Sequence, residues 1–229
     1  VRVASGVRRR ELPDTMVSLM VALTFVTGVV DAVGYLALDR VFTGNMTGNV
    51  VIFAMAAAGA DGLPILGPAF ALLAFTGGAF GTGMALRNAT SAWNRLNTAL
   101  LGGGGVLLAV LGGVLAAVGT DAELVRVAVS AATAAVMGEQ AAVARKLAIA
   151  DMTTVVVTST LTSLASETMV ADRFRSLWHR RAVAIVAIGL GALVGALLLR
   201  VGPEWPMFVA AGLSLAAAGA GHRVSVRHG

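Results

Sequence analysis

Eight apolar runs follow one another along the chain, over roughly residues 15–38, 44–60, 66–87, 97–118, 122–144, 153–166, 181–200 and 205–221. Short polar or charged stretches separate them. Most runs approach the ~20-residue length that carries a helix across a bilayer core. Two do not. The second holds about 17 residues and the sixth about 14, so the sixth reaches only about 21 Å as a helix against a core of about 30 Å. The sixth is also rich in hydroxyls: Thr153, Thr154, Thr158, Ser159, Thr160, Thr162, Ser163 and Ser166.

The two short runs resemble each other. Sliding the chain along itself until Val41 falls on Val156 lays Thr43 on Thr158, Asn45 on Thr160 and Thr47 on Thr162, with Gly44 and Gly48 on serines. The same slide sets the third run on the seventh. The first meets the fifth if a short insertion precedes the sixth. The chain therefore reads as one membrane domain, 1–229, made of two pseudo-repeats near 12–119 and 120–222. Matched short segments in two halves are a pointer to a transporter binding site.

Composition agrees with this class. The protein is 57% hydrophobic and 13% charged, with a mean hydropathy of +0.85; soluble domains carry about 25% charged residues. The absence of cysteine excludes a disulfide framework. Arg2, Arg8, Arg9 and Arg10 precede an apolar run that is too long for a signal-peptide core and has no small-residue cleavage site, so Met16–Leu38 reads as a retained first helix. A net charge of +5 does not point to nucleic acid, because the basic residues flank apolar runs, where they set topology.

Charge also decides between two threadings. If all eight runs cross, Arg40, Arg87, Arg95, Arg145, Lys146 and Arg200 fall outside. If the two short runs enter and leave on one side, only Arg40, Arg126 and Arg200 of the 17 basic residues lie outside, where Asp39, Asp61, Asp121, Glu123 and Glu204 also collect. The positive-inside rule favours the second arrangement. The expectation is an all-α polytopic bundle of the bacterial inner membrane. It has six transmembrane helices, two short re-entrant segments and both termini cytoplasmic, and its halves form an inverted repeat. Seven or eight spanning helices are the alternative.

Chemistry concentrates in few places. Asn45 and Asn49, Thr43 and Thr47, and Thr158 and Thr162 each stand one helical turn apart, so each pair would share a face. With Thr160 they are the candidate substrate-binding residues, because Asn and Thr offer donors and acceptors to a small polar solute. The same glycines and threonines would equally serve close helix packing and capping. Asp31 and Glu139 are the acids deepest in apolar runs. A membrane-embedded acid is costly and points to function, so both are candidates for proton or cation coupling. In structural roles, Asp31 would bond a neighbouring helix and Glu139 would pair with Arg145. Gln140 is a further polar candidate. No histidine pair has zinc-ligand spacing, and no nucleophile–base pair or nucleotide motif appears, so neither a metal, a cofactor nor an enzyme is expected.

Gly28-Val29-Val30-Asp31-Ala32-Val33-Gly34-Tyr35, followed by Val41-Phe42-Thr43-Gly44-Asn45-Met46-Thr47-Gly48-Asn49, resembles the signature of the YoaK family of bacterial membrane proteins. Val157-Thr158-Ser159-Thr160-Leu161-Thr162 is similar to that family's second motif, with Ser159 where the family usually has Gly and Ala141 where its Gln is usually followed by Asn. The resemblance covers essentially the whole chain. It implies a multi-pass inner-membrane protein and supplies no substrate.

The function expected from these residues is a small proton-coupled secondary transporter for a polar or anionic metabolite. A passive channel for a neutral solute and a non-transporting scaffold or partner subunit are the alternatives. The partners expected are membrane lipid, a small-molecule or ion substrate and, because the bundle is thin for alternating access, a second copy in a homodimer.

Overall fold

In a lipid environment every backbone N–H and C=O must find a partner within the chain, and a continuous helix meets that demand locally. The computed structural model describes the backbone of residues 14–89, 93–147 and 174–228, and side chains within 16–89, 93–147 and 182–226. These residues form seven helices: α1 Asp14–Leu36, α2 Met46–Ala57, α3 Leu66–Ala85, α4 Arg95–Val118, α5 Glu123–Lys146, α6 Phe174–Leu198 and α7 Glu204–His228. No strand occurs among them. Five, namely α1, α3, α4, α5 and α7, are long and apolar enough to cross a membrane; α6 contributes the apolar stretch Ala182–Leu198. The protein is therefore a polytopic helical membrane protein.

Local signals place several boundaries. Asn94 caps α4 by accepting from the Asn97 amide at 3.0 Å, and Gly119, at φ 68°, ends it. Glu123 opens α5 and Arg145 and Lys146 close it, each charge opposing the helix dipole at its end. Asn45 caps α2 through the Gly48 amide at 3.4 Å.

Helix pairing rests on glycines. Gly191 of α6 lies against the backbone of Phe25 and Gly28, and Gly195 against Val29 and Ala32, so α1 and α6 run parallel. Gly78 of α3 meets Ala135, Gly138 of α5 meets Phe75 and Ala79, and Lys146 Nζ donates to the Arg87 carbonyl at 3.4 Å; α3 and α5 are parallel too. A Cβ at Gly28, Gly78, Gly138 or Gly191 would drive into the facing backbone. Small residues here let helices touch main chain to main chain. Helices α4 and α7 run antiparallel, with Gly105 against Leu215, Gly112 against Phe208 and Gly221 against Trp93. These three pairs, α1·α6, α3·α5 and α4·α7, are the most extensive contacts of the bundle.

Helix α5 is antiparallel to α1: Gln140 Nε2 reaches the Leu23 carbonyl at 3.1 Å and Ser130 Oγ the Leu38 carbonyl at 3.4 Å. It follows that α1 and α3 point in opposite directions. The segment between them enters and leaves at one end of the bundle, and contains α2, only 12 residues long. As a helix it measures about 18 Å, too short to cross. Helix α5 ends, and α6 begins, at the opposite end. One end thus gathers Arg87, Arg95, Arg145, Lys146 and Arg223, and the other gathers Asp39, Asp61, Asp121, Glu123 and Glu204 with Arg40, Arg126 and Arg200. The eight-crossing alternative does not fit α2. The sixth apolar run, 153–166, lies outside the described residues.

The core follows the same division. Val26, Val29, Val30 and Val33 of α1 meet Leu108 and Leu115 of α4, Val136 and Met137 of α5, and Met207 of α7 in the middle of the bundle. Met20, Leu86, Trp93, Leu101 and Val143 fill the basic end.

Candidate functional site

The site begins where α1 stops. The amides of Ala37 and Leu38 both reach the Val33 carbonyl, at 2.8 and 3.2 Å, and close the last turn. Asp39 and Arg40 then take left-handed backbone conformations, φ 74° and 57°, rare for residues with a Cβ. The chain reverses and runs back beside α1. Gly34 permits this, because the Val41 carbonyl lies where a Cβ would stand, and the Val41 amide donates to the Gly34 carbonyl at 3.1 Å.

This reversal carries Thr43 and Gly44 down to Asp31. One carboxylate oxygen, Asp31 Oδ1, accepts from the Thr43 amide at 2.8 Å, the Gly44 amide at 2.7 Å and Thr43 Oγ1 at 3.3 Å. Asp31 is 8% exposed and Thr43 fully buried. Gly44 lies against the methyl of Thr27, where a Cβ would clash. Thr27 Oγ1 donates to the Leu23 carbonyl at 3.1 Å and accepts from Gln140 Nε2 at 3.2 Å. Thr27 thus touches the loop through its methyl and α5 through its hydroxyl.

Asn49, also fully buried, grips the peptide groups around Phe42. Its Nδ2 donates to the Phe42 carbonyl at 2.6 Å, and its Oδ1 accepts from the Phe42 amide at 2.8 Å. Phe42 in turn stacks on Tyr35, ring centroids 5.0 Å apart, and covers Gly48. Extended backbone away from water needs its groups paired. Asp31 and Asn49 do this for the amides of residues 42–44 and the Phe42 carbonyl.

The sequence-selected residues separate accordingly. Asp31, Thr43, Asn45 and Asn49 come together around the loop and the start of α2. Thr43 and Asn49 spend their polar groups on the protein itself, Asn45 is half-buried, and Thr47 faces outward. Thr158, Thr160 and Thr162 lie outside the described residues. Glu139 is elsewhere. It is half-buried on α5, above Gly104 of α4, where an added Cβ would stand 3.3 Å from Glu139 Oε1. Among the described residues it has no hydrogen-bonding or ionic partner, so it does not pair with Arg145. The two acids do not hold equivalent places. Asp31 stands three residues beyond the helix-crossing Gly28, and Glu139 one beyond the helix-crossing Gly138.

Sequence reasoning passes over Thr27 and Gly34 as parts of the site. A threonine inside an apolar helix ordinarily bonds its own preceding turn, and nothing local marks Thr27 as a link to α5. Among the described residues no three His, Asp or Glu side chains come together as a metal site. Two hollows among those residues lie at the acidic end, and neither includes Asp31 in its walls.

Comparison with known proteins is brief. No solved structure matches the chain. The transmembrane protein YoaK of Bacillus subtilis (strain 168), of the group UPF0700, is 30% identical over 195 residues, which cover 80% of this chain and 83% of that protein. The model of the family described as "Protein of unknown function (DUF1275)" matches residues 19–220, and includes α1 with Asp31, the clamped loop and both parallel helix pairs. The chain belongs to this DUF1275 family, to which its Gly28–Asn49 stretch also points.

Proposed function

We propose that this protein is a small proton-coupled secondary transporter of the bacterial inner membrane, moving a small polar or anionic metabolite. The observation that carries the reading is a carboxylate within a membrane-spanning helix that holds the backbone of a non-crossing segment. While Asp31 is ionised, its Oδ1 accepts from two amides and a hydroxyl and keeps residues 43–44 against α1. Hydrogen bonds to an ionised acceptor are about twice as strong as neutral ones. Protonation weakens all three together and frees the loop and α2 to shift. Glu139, without a partner among the described residues, is the second candidate for a proton.

The helix pairing supports two inverted halves. If α1, α3 and α4 correspond to α5, α6 and α7, exchanging the halves turns the α1·α6 pair into α5·α3 and returns α4·α7 to itself. The parallel pairs and the antiparallel pair have the directions such a twofold requires. The basic end then faces the cytoplasm with both termini.

The scaffold reading has one observation of its own: Asp31 is engaged with structure through Oδ1, as a closed and non-transporting core demands. Glu139 does not share that property. The test is a proteoliposome assay with an internal pH dye and a panel of small carboxylates, amino acids and polyols added outside. Solute-dependent proton entry that disappears in Asp31→Asn, a variant retaining an acceptor oxygen for the loop, supports the transporter. Solute flux that survives Asp31→Asn supports a channel. Absence of flux for the whole panel supports the scaffold.

A further inference from the structure

The acidic end carries an arrangement that the loop held by Asp31 does not use. Two adjoining hollows, of about 470 and 390 Å³, share Leu36, Ala37 and Thr120 in their walls. Arg40 and Arg126 line the first and Arg200 the second. These are all the arginines of that end among the described residues, and they stand among Asp39, Asp61, Asp121, Glu123 and Glu204. Opposite charges this close would ordinarily pair at the surface. Among the described residues none of the three arginines forms an ion pair.

Backbone carbonyls hold two of them instead. Arg126 Nη1 donates to the Thr120 carbonyl at 2.9 Å and the Asp121 carbonyl at 2.7 Å. Arg40 Nη1 donates to the Gly62 carbonyl at 3.0 Å. A guanidinium has five N–H donors, so each keeps most of its donors and its full charge. Arg40 also sits in the left-handed region, φ 57°, directly after Asp39 at φ 74°. Strained backbone persists where surrounding structure imposes it, and such positions cluster at binding sites. Arg40, Arg126 and Tyr35 line the same hollow.

We propose that the two hollows form a binding site for an oxyanion, a phosphate or carboxylate group, held by the forked donors of Arg40 and Arg126 with Arg200 beside them. Planar guanidinium pairs match the geometry of these groups. Asp39 lines the same hollow and opposes the anion, which limits affinity and lets a bound group leave. The oxyanion has two sources, a free solute or the headgroup of an anionic lipid. The site stands independently of the transport reading, because its readout is binding and not flux.

The test uses the full chain in detergent and in nanodiscs. Thermal unfolding is followed with inorganic phosphate or succinate, against chloride at equal ionic strength, and native mass spectrometry follows retained phosphatidylglycerol. A saturable stabilisation by phosphate or succinate beyond chloride identifies a soluble ligand. Retained phosphatidylglycerol identifies a lipid. Either supports the site if it is lost in Arg40→Gly and in Arg126→Lys and strengthened in Asp39→Asn. Arg40→Gly separates binding from folding, since glycine accepts the left-handed backbone at no cost; its unfolding midpoint without ligand should hold or rise. Equal shifts with chloride and no retained lipid overturn the proposal. So does binding that both arginine variants leave unchanged.

Discussion

Asp31 and Glu139 are both carboxylic acids within apolar helices, and the fold treats them oppositely. Asp31 receives two amides and a hydroxyl from a loop that doubles back on its own helix. Glu139 lies over a glycine and receives nothing from the described residues. The difference comes from what each neighbouring helix pair leaves open. Beyond α1 the chain reverses at Gly34 and brings unpaired amides to the acid. Beside Glu139, α4 presents Gly104 and its closed helical backbone, which has no donor to give. An acid within an apolar segment is thus a different object according to whether a non-helical segment is delivered to it.

The largest effect should come from removing the engaged acid. Asp31→Ala strands the Thr43 and Gly44 amides in a buried setting and should cost about 2–6 kcal/mol, at roughly 1–3 kcal/mol for each unsatisfied group. Thermal or denaturant unfolding in detergent would show it, and a loss below about 1 kcal/mol, the low end for one such group, would erase the contrast between the two acids. Close behind, Gly28→Val and Gly138→Val should each cost about 1–3 kcal/mol by forcing apart helices that touch through backbone. Equal losses at the two positions would strengthen the correspondence between the α1·α6 and α5·α3 crossings. Asn49→Ala should cost about 2 kcal/mol, since it uncovers both peptide groups of Phe42; a matching rise in amide exchange at residues 42–44 would tie the loss to the loop. At the small end, Glu139→Gln should change stability by no more than about 0.5 kcal/mol, because no partner is lost. A clear destabilisation there would mean that Glu139 is engaged after all and would bring the two acids together.

Much of this architecture is legible in the pattern of residues alone. The long apolar runs form helices, most with boundaries within a few residues of those the pattern predicts, while α6 begins and α7 ends about two turns beyond them; the charge distribution favours a non-crossing 44–60, and the 12-residue α2 is short for a span. The spacing also puts Thr43, Asn45 and Asn49 in one neighbourhood. It does not say what they do there. Asn45 and Asn49, one turn apart, read as a ligand-facing pair. In the structure Asn45 caps α2, and Asn49 binds the Phe42 peptide. Gln140 stands out in the sequence only as a neighbour of Glu139, yet it is Gln140 that reaches α1. The hollow lined by Arg40 and Arg126 has no sequence signal, since one arginine comes from the turn after α1 and the other from the start of α5, far apart in the chain.

The division has a physical basis. Sequence by itself determined the apolar segments, their order and the charge of each end. Lipid allows an apolar chain few options besides the helix, and basic residues are retained on one side. Only the tertiary structure decided which polar groups were already spent. A side chain's hydrogen-bonding capacity is visible in its formula, but its partner depends on where a reversed loop lands. Here the Gly34 contact and the left-handed turn at Asp39 and Arg40 delivered two amides and a hydroxyl to Asp31, and left Glu139 with none among the described residues.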